Sequence, residues 1–386
     1  MSKKKSSLAN STSRTRGAKK SRPAAADGSA ALPTKLAKLD RQLMKLANER
    51  AAATAELAKL QQESGTADAP VIAAGTAWNP QLARIVEGNT GPLSNQAVAA
   101  MFRELLSGCR QLANPVRVAF LGPLHSYSHL AALEYFGSEA ELVPVASIAA
   151  VFAEVTNRQV AYGIVPLENS TDGRIADTLD MFARVRVRIS GEVPLRIHHN
   201  LLGIGKRTDV ETICSKPQAL SQCRAWLAVN MPEVTIVETS STTAAAERAS
   251  ADRRVAAVAS RQAAANYGLS VLAENIEDNK ENITRFAVIG QESARRTGSD
   301  KTSLLFQVAH EPGALADVMA VFKRNRLNLT WIESFPLPGR TQEYLFFVEM
   351  QGHERDLRVR RALTALEKKT QLLEVLGAYP IATPVG

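Results

Sequence analysis

From Leu36 to Leu60, one set of positions recurs at alternating spacings of three and four: Leu36, Leu39, Leu43, Leu46, Arg50, Ala53, Leu57 and Leu60. That spacing places all eight on a single stripe of one helix. A stripe so long needs a long partner, so the region reads as an α-helical hairpin or small helical domain that pairs with a second copy of itself. Residues 64–80 are loop-like. Ser94 then suits an N-cap, and Val98, Met101, Leu105, Cys109 and Leu112 continue a helical pattern to about Asn114-Pro115.

Past Pro115 the texture changes. Short β-branched runs (Arg117–Leu121, Val160–Pro166, Val187–Ile189, Val255–Ala259) alternate with helical stretches of about ten residues. The alternation predicts βαβ units around a mostly parallel sheet, with ligand groups at strand-to-helix junctions. This part runs to about Gly290, and QESARRTGSD follows as a linker. Residues 302–380 then read strand (Thr302–Val308), helix (Gly313–Asn325), strand (Leu329–Ser334), strand (Glu343–Met350) and helix (Arg355–Thr370). A last strand over Leu372–Leu376 completes a ferredoxin-like βαββαβ order.

Composition narrows the classes of function. The formal net charge is +9, but residues 1–31 hold eight Lys/Arg (Lys3, Lys4, Lys5, Arg14, Arg16, Lys19, Lys20, Arg22) against Asp27. The other 355 residues carry 39 basic and 37 acidic side chains. The charge therefore belongs to a Ser/Ala/Lys-rich segment without periodicity, expected to be a disordered solvating tail, with a targeting or partner-binding role as the alternative, and its confinement there argues against nucleic acid as a partner. No apolar run approaches the length of a membrane span, and the first residues lack the apolar core of a secretory signal. Cys109, Cys214 and Cys223 lack metal-type spacing, and their odd number argues against a disulfide framework. The expectation is a cytoplasmic protein that binds no membrane.

Three junctions carry polar groups suited to an anionic ligand. Val118–Pro123 leads into Leu124-His125-Ser126-Tyr127-Ser128-His129, a strand, a Gly-Pro turn and a Ser-rich helix start. Such a start aims backbone N–H groups and hydroxyls at one spot. The pattern recurs at Val165-Pro166-Leu167-Glu168-Asn169-Ser170-Thr171. The third junction ends in Asn282-Ile283-Thr284-Arg285-Phe286, where an Arg can pair bidentately with a carboxylate. Two capped junctions in one α/β unit favour a small dianion.

The segments FLGPxxSYSHLAA, VPLENST, GEVPLRIHHNLLG, SKPQALSQCRAWL, LAENIEDNKENITRF and VLGAYP, in this order, closely resemble prephenate dehydratase in the fused architecture of bacterial P-proteins. The resemblance covers about 350 residues. It implies a chorismate-mutase-like helical domain over 32–114, a two-lobed α/β dehydratase domain over 115–292 and an α+β ACT domain over 302–380. The implied activity is conversion of prephenate to phenylpyruvate, with loss of water and CO2, under feedback by phenylalanine. Neither a cofactor nor a metal is implied, and the expected assembly is a homodimer or homotetramer. Within the family the Thr of Thr-Arg-Phe is the residue most tied to activity, here Thr284. Arg285, Phe286, Ser126, Ser128, Glu168, Asn169 and Ser170 are expected around the substrate. Rival readings are a fully bifunctional enzyme, an arogenate dehydratase and, in another class, a ligand sensor without catalysis.

The chain departs from the family pattern in places. His125 stands where the family has Gly, and its side chain is expected either to narrow the pocket, to donate a proton, or to be tolerated in a loop. His198-His199 suggests a metal, but strand neighbours face opposite ways, so no metal is expected there. Gly313-Ala314-Leu315 and Glu333-Ser334 resemble the effector motifs of ACT domains, with Phe335 where a cation is usual. Arg50 matches an active-site Arg of the mutase family. Pro33 and Gln61 replace two of its cations, and Asn79-Pro80-Gln81-Leu82-Ala83 replaces a charged stretch. Weak or absent mutase activity is therefore expected.

Overall fold

The structure, a computed structural model, describes residues 26–63, 80–113, 115–171, 173–336 and 343–385. Of the tail expected over 1–31, residues 1–25 lie outside the described residues, as do residues 64–79 of the loop expected over 64–80, Asn79 included. Two compact units are distinguished, Met1–Arg50 and Ala51–Gly386. Helix α1 (Ala26–Glu63) is continuous for 38 residues with Pro33 inside it. It starts six residues before the expected end of the tail, although Asp27, Gly28 and Ser29 are weak helix formers. Leu36, Leu39, Leu43, Leu46, Leu57 and Leu60 are 44–61% exposed, so these leucines of the stripe find no burial among the described residues.

Helix α2 (Pro80–Glu87) packs against α3 (Asn95–Ala113). Ser94 caps α3 by accepting from the Ala97 N–H at 3.1 Å. The buried face of α3 differs from the expected one: Met101 and Leu112 are exposed, while Leu106, Ser107 and Arg110 are buried with Val98 and Cys109. The reason is polar. Ser107 and Arg110 both donate to the Phe136 carbonyl at the end of the next helix. Gly137 makes room for this: its φ is +78°, and a Cβ there would lie 2.4 Å from the Ser107 side chain.

The first α/β lobe contains β1 (Arg117–Leu121), α4 (Tyr127–Phe136), β2 (Glu141–Val145), α5 (Ile148–Thr156), β3 (Tyr162–Asn169), β4 (Gly173–Arg174), α6 (Ala176–Arg184) and β5 (Arg188–Arg196). The second contains β6 (Asn200–Gly203), β7 (Thr212–Ser215), α7 (Pro217–Gln222), α8 (Arg224–Asn230), β8 (Thr235–Glu238), α9 (Thr242–Ala251), β9 (Val255–Ala259), α10 (Arg261–Tyr267) and β10 (Ser270–Ala273). The chain then returns to the first lobe as β11 (Ile283–Gly290). The sheets run β2-β1-β3-β11-β5, with β4 on β3, and β10-β6-β9-β7-β8.

Both sheets are mixed rather than mostly parallel. β1, β2 and β3 are parallel, but β11 is antiparallel to β3 and to β5. In the second lobe β7, β8 and β9 are parallel, while β6 and β10 are antiparallel additions. The antiparallel strands flank the two crossings between lobes, where the chain passes directly from one sheet to the other without a crossover helix. β5 is also longer than its apolar run Val187–Ile189, extending through Gly191 and Pro194. Gly191 is needed there because a Cβ would sit 2.1 Å from the Tyr135 hydroxyl.

The last unit follows the expected order: β12 (Asp300–Gln307), α11 (Ala314–Arg324), β13 (Leu329–Pro336), β14 (Tyr344–Gln351), α12 (Leu357–Glu367) and β15 (Leu372–Pro380). Its antiparallel sheet runs β13-β14-β12-β15, the ferredoxin-like arrangement. One face packs on both helices through Leu304, Phe306, Val318, Phe322, Val359 and Leu366. The other joins the first lobe in a common core, where Phe182, Ile189 and Ile289 meet Leu305, Phe347 and Tyr379. Phe335 is 4% exposed and lies in that core, so the cation of the family motif is replaced by a packing residue.

Candidate active site

A cavity of about 460 Å³ opens between the two lobes. The first lobe contributes Gly122, Pro123, Ser126, Ser128, Asn169, Thr284 and Phe286; the second contributes Lys216, Gln218, Gln222 and Ser240–Thr242. A surface groove of similar volume, about 470 Å³, lies beside Arg186 and Arg188 and shares none of these residues.

The walls of the cavity follow from local sequence. Ser126 has extended backbone angles and caps α4, its hydroxyl accepting from the His129 N–H. Ser241 caps α9 in the same way, accepting from Ala244 at 3.0 Å. Two helix N-termini of ten residues each thus border the cavity, with first-turn N–H groups and the positive ends of their dipoles. Lys216 adds a full charge, held at the start of α7 by the Pro217 that follows it. An anion is the ligand this lining suits, although Asp177 also reaches it.

Thr284 lies opposite Asn169 in the β11–β3 pairing and opposite Leu195 in the β11–β5 pairing. The Asn169 side-chain amide donates to Thr284 Oγ1 at 2.7 Å and to Asn282 Oδ1 at 3.2 Å, while its own carbonyl accepts from the Thr171 N–H. Thr284 Oγ1 therefore spends a lone pair on Asn169, and its proton remains to be donated. The chain of amides goes on: Asn282 Nδ2 donates to Gln222 Oε1 at 3.0 Å, and His199 Nε2 lies 2.9 Å from the same oxygen. A carboxamide oxygen accepts only, so Nε2 carries the hydrogen and Nδ1 is left as an acceptor 3.0 Å from the Tyr127 hydroxyl. Burial lowers the His199 pKa below the usual imidazole value and outweighs the opposing Gln222 bond and Glu277 charge, keeping the ring neutral. Burial likewise holds the Tyr127 hydroxyl in its protonated form.

The residues expected around a substrate divide. Ser126, Ser128, Asn169, Thr284 and Phe286 line the cavity. Arg285, Glu168 and Ser170 do not. Successive residues of a strand face opposite ways, so Arg285 turns its back on the cavity that Thr284 faces. It pairs with Glu168 at 2.8 Å and Glu349 at 2.7 Å, which takes Glu168 out of the site too. The Ser170 hydroxyl donates to the Glu281 carbonyl and accepts from the Ile283 N–H, fixing the strand's entry. His125 adopts a φ of +65° and lies outside the cavity lining, its Nδ1 2.7 Å from Asn266 Nδ2 across the lobes. His198 is held by Glu277 at 2.8 Å. Among the described residues, no group of three His, Cys, Asp or Glu is arranged to hold a metal.

Sequence reasoning missed Lys216, Gln222, Asn282, His199 and Ser240–Thr242. All but the last lie within the motifs quoted above, and Ser240-Ser241-Thr242 ahead of an Ala-rich stretch is itself a capping signal. In the C-terminal unit Gly313 opens α11 with φ +88°, next to Ala314 and Leu315. Glu333 pairs with Arg174 at 2.8 Å, and the same guanidinium donates to the Ser334 carbonyl.

Two family models match the chain, Prephenate dehydratase over residues 118–294 and Chorismate mutase type II over residues 32–114. A bifunctional chorismate mutase/prephenate dehydratase from Aquifex aeolicus is 40% identical over 346 residues, which is 89% of this chain and 96% of that protein. Among solved structures, a prephenate dehydratase in complex with L-Phe from Arthrobacter aurescens is 31% identical, with TM-score 0.65 over 70% of this chain and 92% of that one. GqqA, described as a quorum quenching acylase, is 30% identical with TM-score 0.63, covering 69% of this chain and 98% of its own. With a serine-capped cleft in which a threonine sits beside an asparagine, and a relative 40% identical over 89% of its length, the chain belongs to the family of bifunctional chorismate mutase/prephenate dehydratases.

Proposed function

We propose that the cavity converts prephenate to phenylpyruvate, and that Thr284 is its catalytic residue. Loss of the ring carboxylate as CO2 sends an electron pair into the ring, and that pair displaces the ring hydroxyl as the ring becomes aromatic. The departing oxygen gathers negative charge, and a hydrogen bond placed there lowers the barrier. The bond from Asn169 to Thr284 Oγ1 carries this reading, because it orients the Thr proton toward the cavity. Lys216 and the starts of α4 and α9 then hold the two carboxylates, a role that sequence reasoning gave to Arg285. Purified protein incubated with prephenate, arogenate and chorismate in turn tests the assignment. Equal release of phenylpyruvate and CO2 from prephenate supports it; release of neither leaves the ligand-sensor reading. Decarboxylation also separates this chemistry from acyl hydrolysis.

The domains are taken as a chorismate-mutase-like region over 32–114, the dehydratase over 115–292 and an ACT unit over 302–380. The exposed leucines of α1 favour a homodimer through that helix, with the N-terminal region as a scaffold rather than a working mutase, since Arg50 lacks the family's companion cations at Pro33 and Gln61. Chorismate consumption by the whole chain checks this. For the ACT unit the proposed effector is L-phenylalanine, near Gly313-Ala314-Leu315 and Glu333-Ser334. The L-Phe complex of the Arthrobacter relative supports it, and calorimetry with phenylalanine tests it. Three buried free cysteines fit a cytoplasmic enzyme, and among the described residues no helix is long and apolar enough to cross a membrane.

A further inference from the structure

Arg285 adjoins Thr284, yet its side chain is built into the C-terminal unit. Its Nε lies 2.8 Å from Glu168 on β3, and its Nη1 lies 2.7 Å from Glu349 on β14 and 3.4 Å from Glu192 on β5. The guanidinium carbon sits 4.9 Å from the centre of the Trp331 ring on β13. Lys301 on β12 closes the cluster, 2.6 Å from Glu192 and 3.2 Å from Glu349. Tyr379 on β15 donates to Glu349 at 3.0 Å and shares a hydrogen bond with Ser303. All four strands of the C-terminal sheet therefore hold one cluster whose centre is a residue of the catalytic strand.

The cluster is buried: Glu349 is fully enclosed, and Glu192 and Lys301 are 3% and 6% exposed. Burial alone would lower the Arg285 pKa, but the Glu349 and Glu192 carboxylates overcome it and raise it. Burial would raise the Glu349 pKa, and Arg285 with Lys301 instead holds it below the usual carboxylate value. Charges so enclosed tolerate little displacement, because each depends on the others for compensation. Between Arg285 and Phe286 the β11–β3 pairing shifts register, so the backbone beside Thr284 is irregular where the cluster grips it.

We infer that Arg285 is a positioning residue through which the C-terminal sheet sets where the Thr284 hydroxyl stands in the cavity, and that it is not a ligand of the substrate carboxylate. The kinetic half of this inference rests on the dehydratase reading.

The test uses the full chain with Glu349→Gln and Arg285→Lys, each compared with the parent by thermal melting, steady-state kinetics on prephenate and amide hydrogen exchange of residues 283–286. For Glu349→Gln, kcat per folded molecule should fall about tenfold with KM within about twofold, since only the placement of a transition-state donor has changed. The amides of residues 283–286 should exchange faster. Arg285→Lys keeps the charge but not the fork, and should show the same split to a smaller degree. A rise in KM of about tenfold at unchanged kcat in Arg285→Lys overturns the inference in favour of a substrate contact. Unchanged kcat and exchange in Glu349→Gln overturn it as well, whatever the melting temperature does. If Glu349→Gln does not fold, Trp331→Leu removes the ring on the guanidinium, together with that ring's packing on Phe347, while leaving every charge of the cluster in place. About a threefold loss in kcat with faster exchange then supports the inference, and no change in either refutes it. If the parent does not turn over prephenate, the dehydratase reading falls and the exchange data alone decide: faster exchange keeps the coupling, unchanged exchange removes it.

Discussion

The two lobes that form the cleft are supported differently. The first shares a core with the C-terminal sheet, where Phe152, Phe182 and Ile289 touch the same cluster as Leu305, Phe347 and Tyr379. The second keeps separate, smaller cores, one of them built largely from alanines such as Ala245, Ala246, Ala249, Ala257 and Ala263. Besides the two chain crossings, contacts between the lobes include the hydrogen bonds of Asn282 to Gln222, Asn266 to His125 and Thr243 to the Leu124 carbonyl, and an edge-on ring contact of His125 with Tyr267. Apolar area buried in common resists separation, while isolated hydrogen bonds at a cleft open cheaply. The lobe that holds Thr284 is therefore the one anchored to the C-terminal sheet, and among the described residues the lobe that carries Lys216 shares no core with that sheet.

The largest effect expected from this contrast is on stability. Phe347→Ala empties a position shared by the first lobe and the C-terminal sheet, and should cost about 3–5 kcal/mol. Hydrogen exchange should show β11 and β14 losing protection together. Loss confined to β14 would mean that the core is not shared. On activity, Thr284→Ala should leave the fold intact and lower kcat by about 100-fold, the scale of losing an oxyanion donor. A folded variant with near-normal turnover would remove Thr284 from the mechanism.

Lys216→Met sharpens the contrast from the other side. If the second lobe brings the cation to a fixed hydroxyl, KM for prephenate should rise about tenfold while kcat changes less. An equal fall in kcat with KM unchanged would place the lysine at the reacting carbon instead. The smallest effect concerns His199. Burial puts its folded pKa below the ordinary imidazole value of 6.5, so the unfolded chain takes up a proton first as the pH drops. Stability from this group is thus complete above about pH 6.5 and declines as the pH falls from there toward the folded pKa. His199→Gln should flatten that slope in melts between pH 7 and 5; an unaltered slope would show that the ring is not held neutral by its burial.

How much of this was legible beforehand depended on how local each feature is. Strands β1 and β9 were found at their observed ends because β9 is one unbroken apolar run and β1 is one after its first residue, Arg117. Ser94 and Ser126 cap the helices whose starts they suggested, since a cap spans only four residues. β5 was read too short because Gly191, Glu192 and Pro194 break the run. Each has a distant reason to be there: the Tyr135 ring over Gly191, the Lys301 ammonium on Glu192, and the residue 385 backbone against Pro194. Arg285 was given to the substrate because an Arg beside a catalytic Thr is what a dicarboxylate needs. Its true partner, Glu349, is 64 residues away in a unit read as a separate domain. Lys216 was passed over since a lysine before a proline looks like loop, and only the cleft gives it a role.

A single missing methyl group governs how modular this chain can be. At Gly377, on β15, φ is +151° and a Cβ would fall 2.2 Å from the Ile189 carbonyl oxygen on β5. The linker over 291–299 looks like a natural seam for recombining the last unit with other catalytic domains, and in sequence it is one. In space the seam is closed by a backbone-to-backbone approach that any side chain would block. A chimera that grafts a related C-terminal unit onto this first lobe will seat only if the donor also carries glycine at that position, so exchange of domains in this lineage is constrained by one residue well inside the graft rather than by the joint where the chains are spliced.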